Sequence, residues 1–206
     1  FKKGYGFADL EKRIHADPDK HLFRIASISK TFIWTAVMQL VEQGKLDLNE
    51  DIQAYLDFDI PKTYDEPIRL KHLLTHTPGF EDHVLGGARE YKDLQPLREF
   101  LANHVPARVR KPGTHIAYSN YGSAVAGYIV ERESGMPWDE YVQKELLTPL
   151  GMTETIAHQL VSSAHKEAHA KGYRYEDGEF SASPYYYLSD SPAGAMSSTA
   201  ANMANW

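Results

Sequence analysis

The stretch Phe23–Gly44, FRIASISKTFIWTAVMQLVEQG, decides the reading of this chain. Phe32, Ile33, Trp34, Ala36, Val37, Met38, Leu40 and Val41 leave almost no polar face. A helix that is apolar nearly all round belongs inside a protein. Gly44 follows the last periodic residue and is a stop signal. Ser27 and Lys30 therefore stand one helical turn apart, on one face, at the N-terminal end of a buried helix. The N–H groups of such an end favour a developing anion, so the place suits a hydroxyl nucleophile. The bland alternative is a helix-capping serine beside a snorkelling lysine.

Composition bounds the rest. The 206 residues are enough for one substantial domain with its own core, and 42% apolar and 24% charged residues are ordinary for a globular protein. A net charge of −6 without a basic stripe argues against a nucleic-acid partner. No run of apolar residues is long enough to span a membrane. There are 0 cysteines, which excludes disulfides, thiol catalysis and Cys-ligated zinc.

Outward from the central helix, Lys3–Leu10 alternates loosely and reads as a sheet-edge strand, and Asp17-Pro18-Asp19 as a turn. LDLNEDIQAYL, from Leu46, reads as a short helix with Asn49 a candidate cap. Ile68–Thr75 reads as a short helix, residues 80–93 as a long surface loop, and Leu97–Val105 as a helix with Leu97, Phe100, Leu101 and Val105 inward. The next helix, YGSAVAGYIVERESG, carries Ala124, Ala126 and Gly127 for close approach of a neighbouring helix. Another runs from Pro137 to Leu147. Residues 156–193 are expected to form short strands and loops, with Tyr185–Tyr187 lining a cleft or packing on the helices. Ser197-Ser198-Thr199 caps a last short helix. The expected organisation is one domain: a strand region over 1–25, a mainly helical region over 26–150, and loops, short strands and a final helix over 151–206.

Two further constellations matter. Ser-x-x-Lys occurs again at Ser163–Lys166, in a polar stretch where the lysine is simply solvated, so the spacing alone carries little. Tyr118-x-Asn120 adds a phenol that can relay a proton and an amide that can hold a lysine or a substrate carbonyl. Its bland alternative is a turn tyrosine followed by an Asn helix cap. His72 and His76 are spaced to share a helix face, as are His165 and His169, but no HExxH spacing accompanies them. No metal site and no cofactor are assigned.

Seven segments in order, FRIASISKTF, LLTHTPG, PGTHIAYSNYG, GYIVERESG, YVQKELLTPLGM, AKGYRY and SPAGAMSSTAANMA, resemble the serine β-lactamase and penicillin-binding protein superfamily. The similarity is strongest to the class C-like branch, which also holds D-alanyl-D-alanine carboxypeptidases and esterases. The resemblance implies an α/β (α+β) fold, here mostly the helical domain plus part of an antiparallel sheet. It implies that Ser27 is the acylated nucleophile, that Lys30 and Tyr118 jointly manage its proton, and that Asn120 binds Lys30 and the substrate's amide. The backbone N–H of Ser27 would be one oxyanion donor. The implied activity is a serine hydrolase acting through an acyl-enzyme on amide, β-lactam or ester carbonyls, with a small-molecule or peptide substrate. The alternative is a catalytically silent binding or regulatory module on the same scaffold.

The family's third motif, Lys-Thr-Gly or His-x-Gly, has no match. Lys62-Thr63 is followed by Tyr64, Lys111-Pro112-Gly113 precedes the tyrosine motif, and His76-Thr77-Pro78-Gly79 matches another segment. The resemblance therefore implies an N-terminal portion lacking the C-terminal strands and one cleft wall, with little or no acyl-transfer activity by itself. It also implies an unpaired sheet edge open to association and, from family habit, an extracytoplasmic location.

Overall fold

The computed structural model describes residues 1–81, 86–159 and 163–206. Two helices dominate it. The first, α1 (Ser29–Glu42), buries Phe32, Ile33, Ala36, Val37 and Leu40. It packs on α4 (Asn120–Ser134), whose residues Tyr121–Val130 are buried without interruption. Each large apolar side chain withdrawn in this way is worth about 1.5–3 kcal/mol. Contrary to the all-round apolar expectation, α1 is buried on one side, with Met38 45% exposed and Trp34 half-buried.

Around this pair the chain is mostly short elements. The N-terminal strand region gives β1 (Phe7–Asp9), β2 (Ile14–His15) and β3 (Phe23–Arg24). The strand expected over Lys3–Leu10 shortens to three residues because Gly6 takes a left-handed φ of 65° and ends the extended run. The helix expected from Leu46 is replaced by one 3-10 turn, Ile52–Ala54. Its cap is Asp51, which accepts from the Gln53 N–H, and not Asn49. The reason is competition for backbone groups. Ile52 N–H donates to Ile68, Leu70 N–H to Glu50, and Lys71 N–H to Leu48, so this segment pairs with the next one instead of with itself.

Then come α2 (Leu70–Leu74), β4 (Gly87–Ala88) and α3 (Leu97–Asn103). Part of the loop expected over 80–93 lies outside the described residues. After α4, the chain forms α5 (Trp138–Val142), which continues as a π-helical turn, Gln143–Leu147. A short helix, α6 (Ser163–Ala168), interrupts the polar stretch expected to hold only strands and loops. It is followed by β5 (Tyr173–Glu176), β6 (Glu179–Ala182), β7 (Tyr187–Leu188), β8 (Ser197–Ser198) and α7 (Ala200–Met203). Thr199 caps α7 through Asn202 N–H, as its sequence suggests.

Among the described residues, the strands form four antiparallel pairs, β1-β2, β3-β8, β4-β7 and β5-β6. The β3-β8 pair, Phe23 opposite Ser198 and Arg24 opposite Ser197, positions the site. It carries the chain into the first turn of α1 and ties that turn to the 191–198 segment. No helix among the described residues is long and apolar enough to cross a membrane.

Candidate active site

Ser27 lies in a 3-10 turn, Ala26–Ile28, which runs directly into α1. Ala26, just before it, has φ 47°. A residue with a Cβ pays about 1–3 kcal/mol for a sparsely populated conformation such as this one. Three hydrogen bonds over-determine the bend. Ile25 N–H donates to the Met196 carbonyl (3.0 Å), Met196 N–H donates to the buried Ser29 Oγ (3.2 Å), and Ile28 N–H closes on Ile25. The result is a Ser27 side chain at the surface and a Lys30 side chain, one turn on, that is 1% exposed.

A buried ammonium needs partners. Lys30 Nζ donates to Ser27 Oγ (3.1 Å), Asn120 Oδ1 (2.8 Å) and the Ala193 carbonyl (2.6 Å). Three acceptors match the three N–H bonds of an ammonium. Nζ also lies 4.9 Å from the centroid of the Tyr118 ring. Among the described residues no carboxylate pairs with it. The charge is held by three dipolar acceptors and the Tyr118 ring, without a formal counter-charge among the described residues.

Tyr118 completes the group. Its Oη donates to Ser27 Oγ at 2.7 Å, across 91 residues of sequence. The ring is 45% exposed, so this side of the serine faces solvent. Asn120 is the first residue of α4 and not its cap. The cap is Ser119, whose Oγ accepts from Gly122 N–H at 3.0 Å. This frees the Asn120 amide for Lys30 and removes the bland alternative for that residue.

All four residues picked from sequence thus meet within hydrogen-bond distance. The second Ser-x-x-Lys does not join them: it lies in α6, with Lys166 exposed. The His72–His76 pair is corrected, whereas His165 and His169 follow one another by a helical turn, His169 N–H donating to the His165 carbonyl at 3.0 Å. His72 is in α2, where Nδ1 accepts from Arg69 N–H. His76 lies beyond the helix with φ 53°, so the two do not share a face. His76 instead packs on Tyr118. Burial, with the Lys30 charge as a second cause, holds its imidazole below the usual histidine range. No group of three or more His, Cys, Asp or Glu among the described residues is placed to hold a metal ion.

The segment 191–194 was missed as a site element. It forms a 3-10 turn, Ser191–Ala193, held by Trp138 Nε1–H donating to Ser191 Oγ (3.2 Å) and pressed onto α4 at Gly127. A Cβ on Gly127 would lie 2.4 Å from Pro192 Cβ. The small residues of α4 therefore admit a proline turn beside the neighbouring helix expected from sequence, α1, whose Ile33 Cδ1 would lie 3.8 Å from the same added Cβ. That turn is what delivers the Ala193 carbonyl to Lys30.

This mixed architecture, with a serine-lysine pair at the start of its central helix, is the serine β-lactamase and penicillin-binding-protein fold. The chain belongs to the Beta-lactamase family, whose model matches residues 1–206. It is 28% identical over 215 residues to Protein flp of Staphylococcus aureus (strain MRSA252), covering 99% of this chain and 41% of that one. It superposes on the octameric penicillin-binding protein homologue from Pyrococcus abyssi with TM-score 0.83 and 27% identity, over 100% of this chain and 48% of that one. The D-amino acid amidase from Ochrobactrum anthropi SV3, complexed with L-phenylalanine amide, gives TM-score 0.80 and 28% identity, over 97% and 59%. The chain spans less than two thirds of the length of these relatives.

Proposed function

We propose that these residues carry the nucleophile's side of a serine acyl-transfer hydrolase acting on amide, β-lactam or ester carbonyls. Ser27 Oγ attacks the carbonyl carbon, the bond to the leaving nitrogen or oxygen breaks, and the serine proton ends on that leaving atom. A covalent acyl-enzyme results, which water or another nucleophile resolves. The Lys30 ammonium, with its three N–H bonds engaged, has no lone pair to receive the serine proton. Tyr118 Oη receives it in transit as it releases its own proton toward the leaving atom, so the phenol gains no net charge, and the Lys30 ammonium stabilises the negative charge that develops on Ser27 Oγ and Tyr118 Oη during the relay. The pair acts jointly. The Ser27 N–H, at the start of α1, is the oxyanion donor on this side, and Asn120 holds Lys30 and contacts the substrate's amide group.

The observation that carries this reading is the convergence of Lys30 Nζ and Tyr118 Oη on one exposed serine oxygen. The amidase and penicillin-binding neighbours support hydrolysis of amide-type carbonyls over other chemistry. The test is slow single-hit acylation by a fluorescent penicillin, with the adduct mapped by mass spectrometry. A β-lactam adduct on Ser27, absent from Ser27→Ala, is expected. Labelling that is equal in both proteins, or none in either, rejects the acyl-transfer reading and favours a silent binding module. An extracytoplasmic location is part of the same proposal, checked by fractionating cells that express the native gene.

A further inference from the structure

We propose that His76 is the positioning residue for Tyr118, fixing the backbone on both sides of it and the ring itself. Three contacts converge. The His76 carbonyl accepts from Ala117 N–H (2.8 Å), and its Nδ1 accepts from Ser119 N–H (3.3 Å). The imidazole stacks on the Tyr118 ring with centroids 4.4 Å apart and planes inclined at 34°. Trp34, from α1, meets the same imidazole edge-on, with centroids 5.6 Å apart. The residues before and after Tyr118 are thus hydrogen-bonded to one histidine, and Tyr118 itself lies against it. Because Ser119 also caps α4, and Asn120 is the first residue of that helix, the same clamp sets the entry to the Lys30 partner.

The backbone of His76 supports this role. Its φ of 53° is left-handed, a conformation in which glycine or asparagine would be the ordinary choice. A histidine there bears strain, and its side chain is engaged on both ring and nitrogen. Accepting from an amide N–H requires Nδ1 to be bare, so the proton sits on Nε2. The titratable groups facing the ring are Tyr118, in contact, and Lys30, from α1. Both burial and the lysine charge favour the neutral ring that the clamp needs. Protonation at Nδ1 would replace an acceptor with a donor aimed at Ser119 N–H, and the clamp would open.

The kinetic consequence rests on the acyl-transfer reading; the clamp does not. Two variants of the whole chain separate its parts. His76→Phe keeps a ring against Tyr118 and loses the acceptor. His76→Asn places an amide oxygen near the Nδ1 position and tolerates the backbone angle. In His76→Phe, exchange of the Ser119 amide, followed by NMR, should be about tenfold faster or more, and Ser27 acylation by fluorescent penicillin should slow ~10–100-fold. His76→Asn should recover most of both. The wild-type acylation rate should also fall on acidification through the His76 titration, a limb that His76→Asn lacks. Unchanged Ser119 exchange in His76→Phe, or no recovery in His76→Asn with the fold intact by circular dichroism, overturns the proposal. If wild-type Ser27 takes no label, the acyl-transfer reading fails, while the amide exchange still decides the clamp.

Discussion

Gly127→Ala tests how the core reaches the candidate site. A Cβ built on Gly127 lies 2.4 Å from Pro192 Cβ and 2.6 Å from Pro192 Cγ. Carbon atoms rest at about 3.5–4.0 Å, so the Ser191–Ala193 turn must move off α4 by about 1 Å. The Ala193 carbonyl, 2.6 Å from Lys30 Nζ, would then stand near the limit of a hydrogen bond. Overpacking costs ~1–3 kcal/mol, and alanine's better helix propensity offsets ~1 kcal/mol of that. A weakened charge-assisted bond to a buried ammonium adds ~1 kcal/mol or more. The net is ~2 kcal/mol, which for a chain of this length is a fall in Tm of roughly 4–8 °C. Penicillin labelling of Ser27 should slow about tenfold. The control is Gly135→Ala, at the C-cap of α4. There the added Cβ meets nothing within 4 Å but φ is +74°, so stability falls by ~1 kcal/mol and labelling holds. Calorimetry and labelling rates on the three proteins decide. A Gly127→Ala protein that is as stable as wild type and labels as fast would show that the turn yields freely, and that its contact with α4 does not set the position of Lys30.

Other expectations follow from single contacts. Asn120→Ala leaves the buried Lys30 with two acceptors of three; a loss of ~1–3 kcal/mol and labelling slowed at least about tenfold are expected, and unchanged labelling would remove Asn120 from the site. Asp57→Asn weakens contacts to Tyr128 Oη, Arg98 and Arg132 at the surface. It should cost under ~1 kcal/mol without touching Ser27 labelling, and a larger loss in urea unfolding would show that the cluster is more than a surface network. His169 is held at about 4, chiefly by burial and then by Arg24. Because the unfolded chain binds a proton there first, near 6.5, this residue's contribution to stability is intact above that pH and is lost as pH falls toward 4. His169→Gln should flatten that part of the stability–pH curve, and an identical slope in both proteins would count against the buried neutral ring.

The legible part of this molecule is the part governed by local chemistry. The apolar run after Lys30 marks α1, Gly44 and Gly135 mark helix ends with left-handed φ, and Thr199 marks the last cap. Asp177-Gly178, both with positive φ, is the turn signal that locates the β5-β6 hairpin within a stretch read only as short strands and loops. The helix expected from Leu46 failed because its backbone groups were claimed by residues 68–71, a pairing that no local pattern announces. Within the candidate site, Ser27, Lys30, Tyr118 and Asn120 were legible through the ordered segments that resemble the family, since the Ser-x-x-Lys spacing alone recurs at Ser163–Lys166. The Ala193 carbonyl was not, since a backbone acceptor leaves no mark in the sequence. His76 was visible but misassigned: the i, i+4 spacing to His72 presumes one continuous helix, and the chain leaves α2 at Thr75.

The two Ser-x-x-Lys pairs show what the fold adds to a spacing. Both lysines come three residues after a serine, yet only Lys30 is stripped of water. Its solvation is replaced by acceptors from three separate segments: Ser27 before α1, Asn120 at the start of α4, and Ala193 in the turn pressed against Gly127. With two of its N–H bonds spent on Asn120 and Ala193, the ammonium has one direction left, and it points at Ser27 Oγ. Under the proposed acyl transfer, that choice also decides where the serine proton goes. An ammonium donates to the oxygen and takes nothing from it, so in that proposed reaction Tyr118 Oη, 2.7 Å away, is the atom that receives the serine proton as it releases its own. Lys30 and Tyr118 should therefore be coupled through Ser27 Oγ. In Asn120→Ala the ammonium is free to turn away from Ser27, and the tyrosine relays the proton without a fixed charge beside it. The losses of labelling in Asn120→Ala and Tyr118→Phe should accordingly sum to more than the loss in the double variant Asn120→Ala/Tyr118→Phe. A full additive loss would instead mean that the tyrosine acts independently of how the lysine is held.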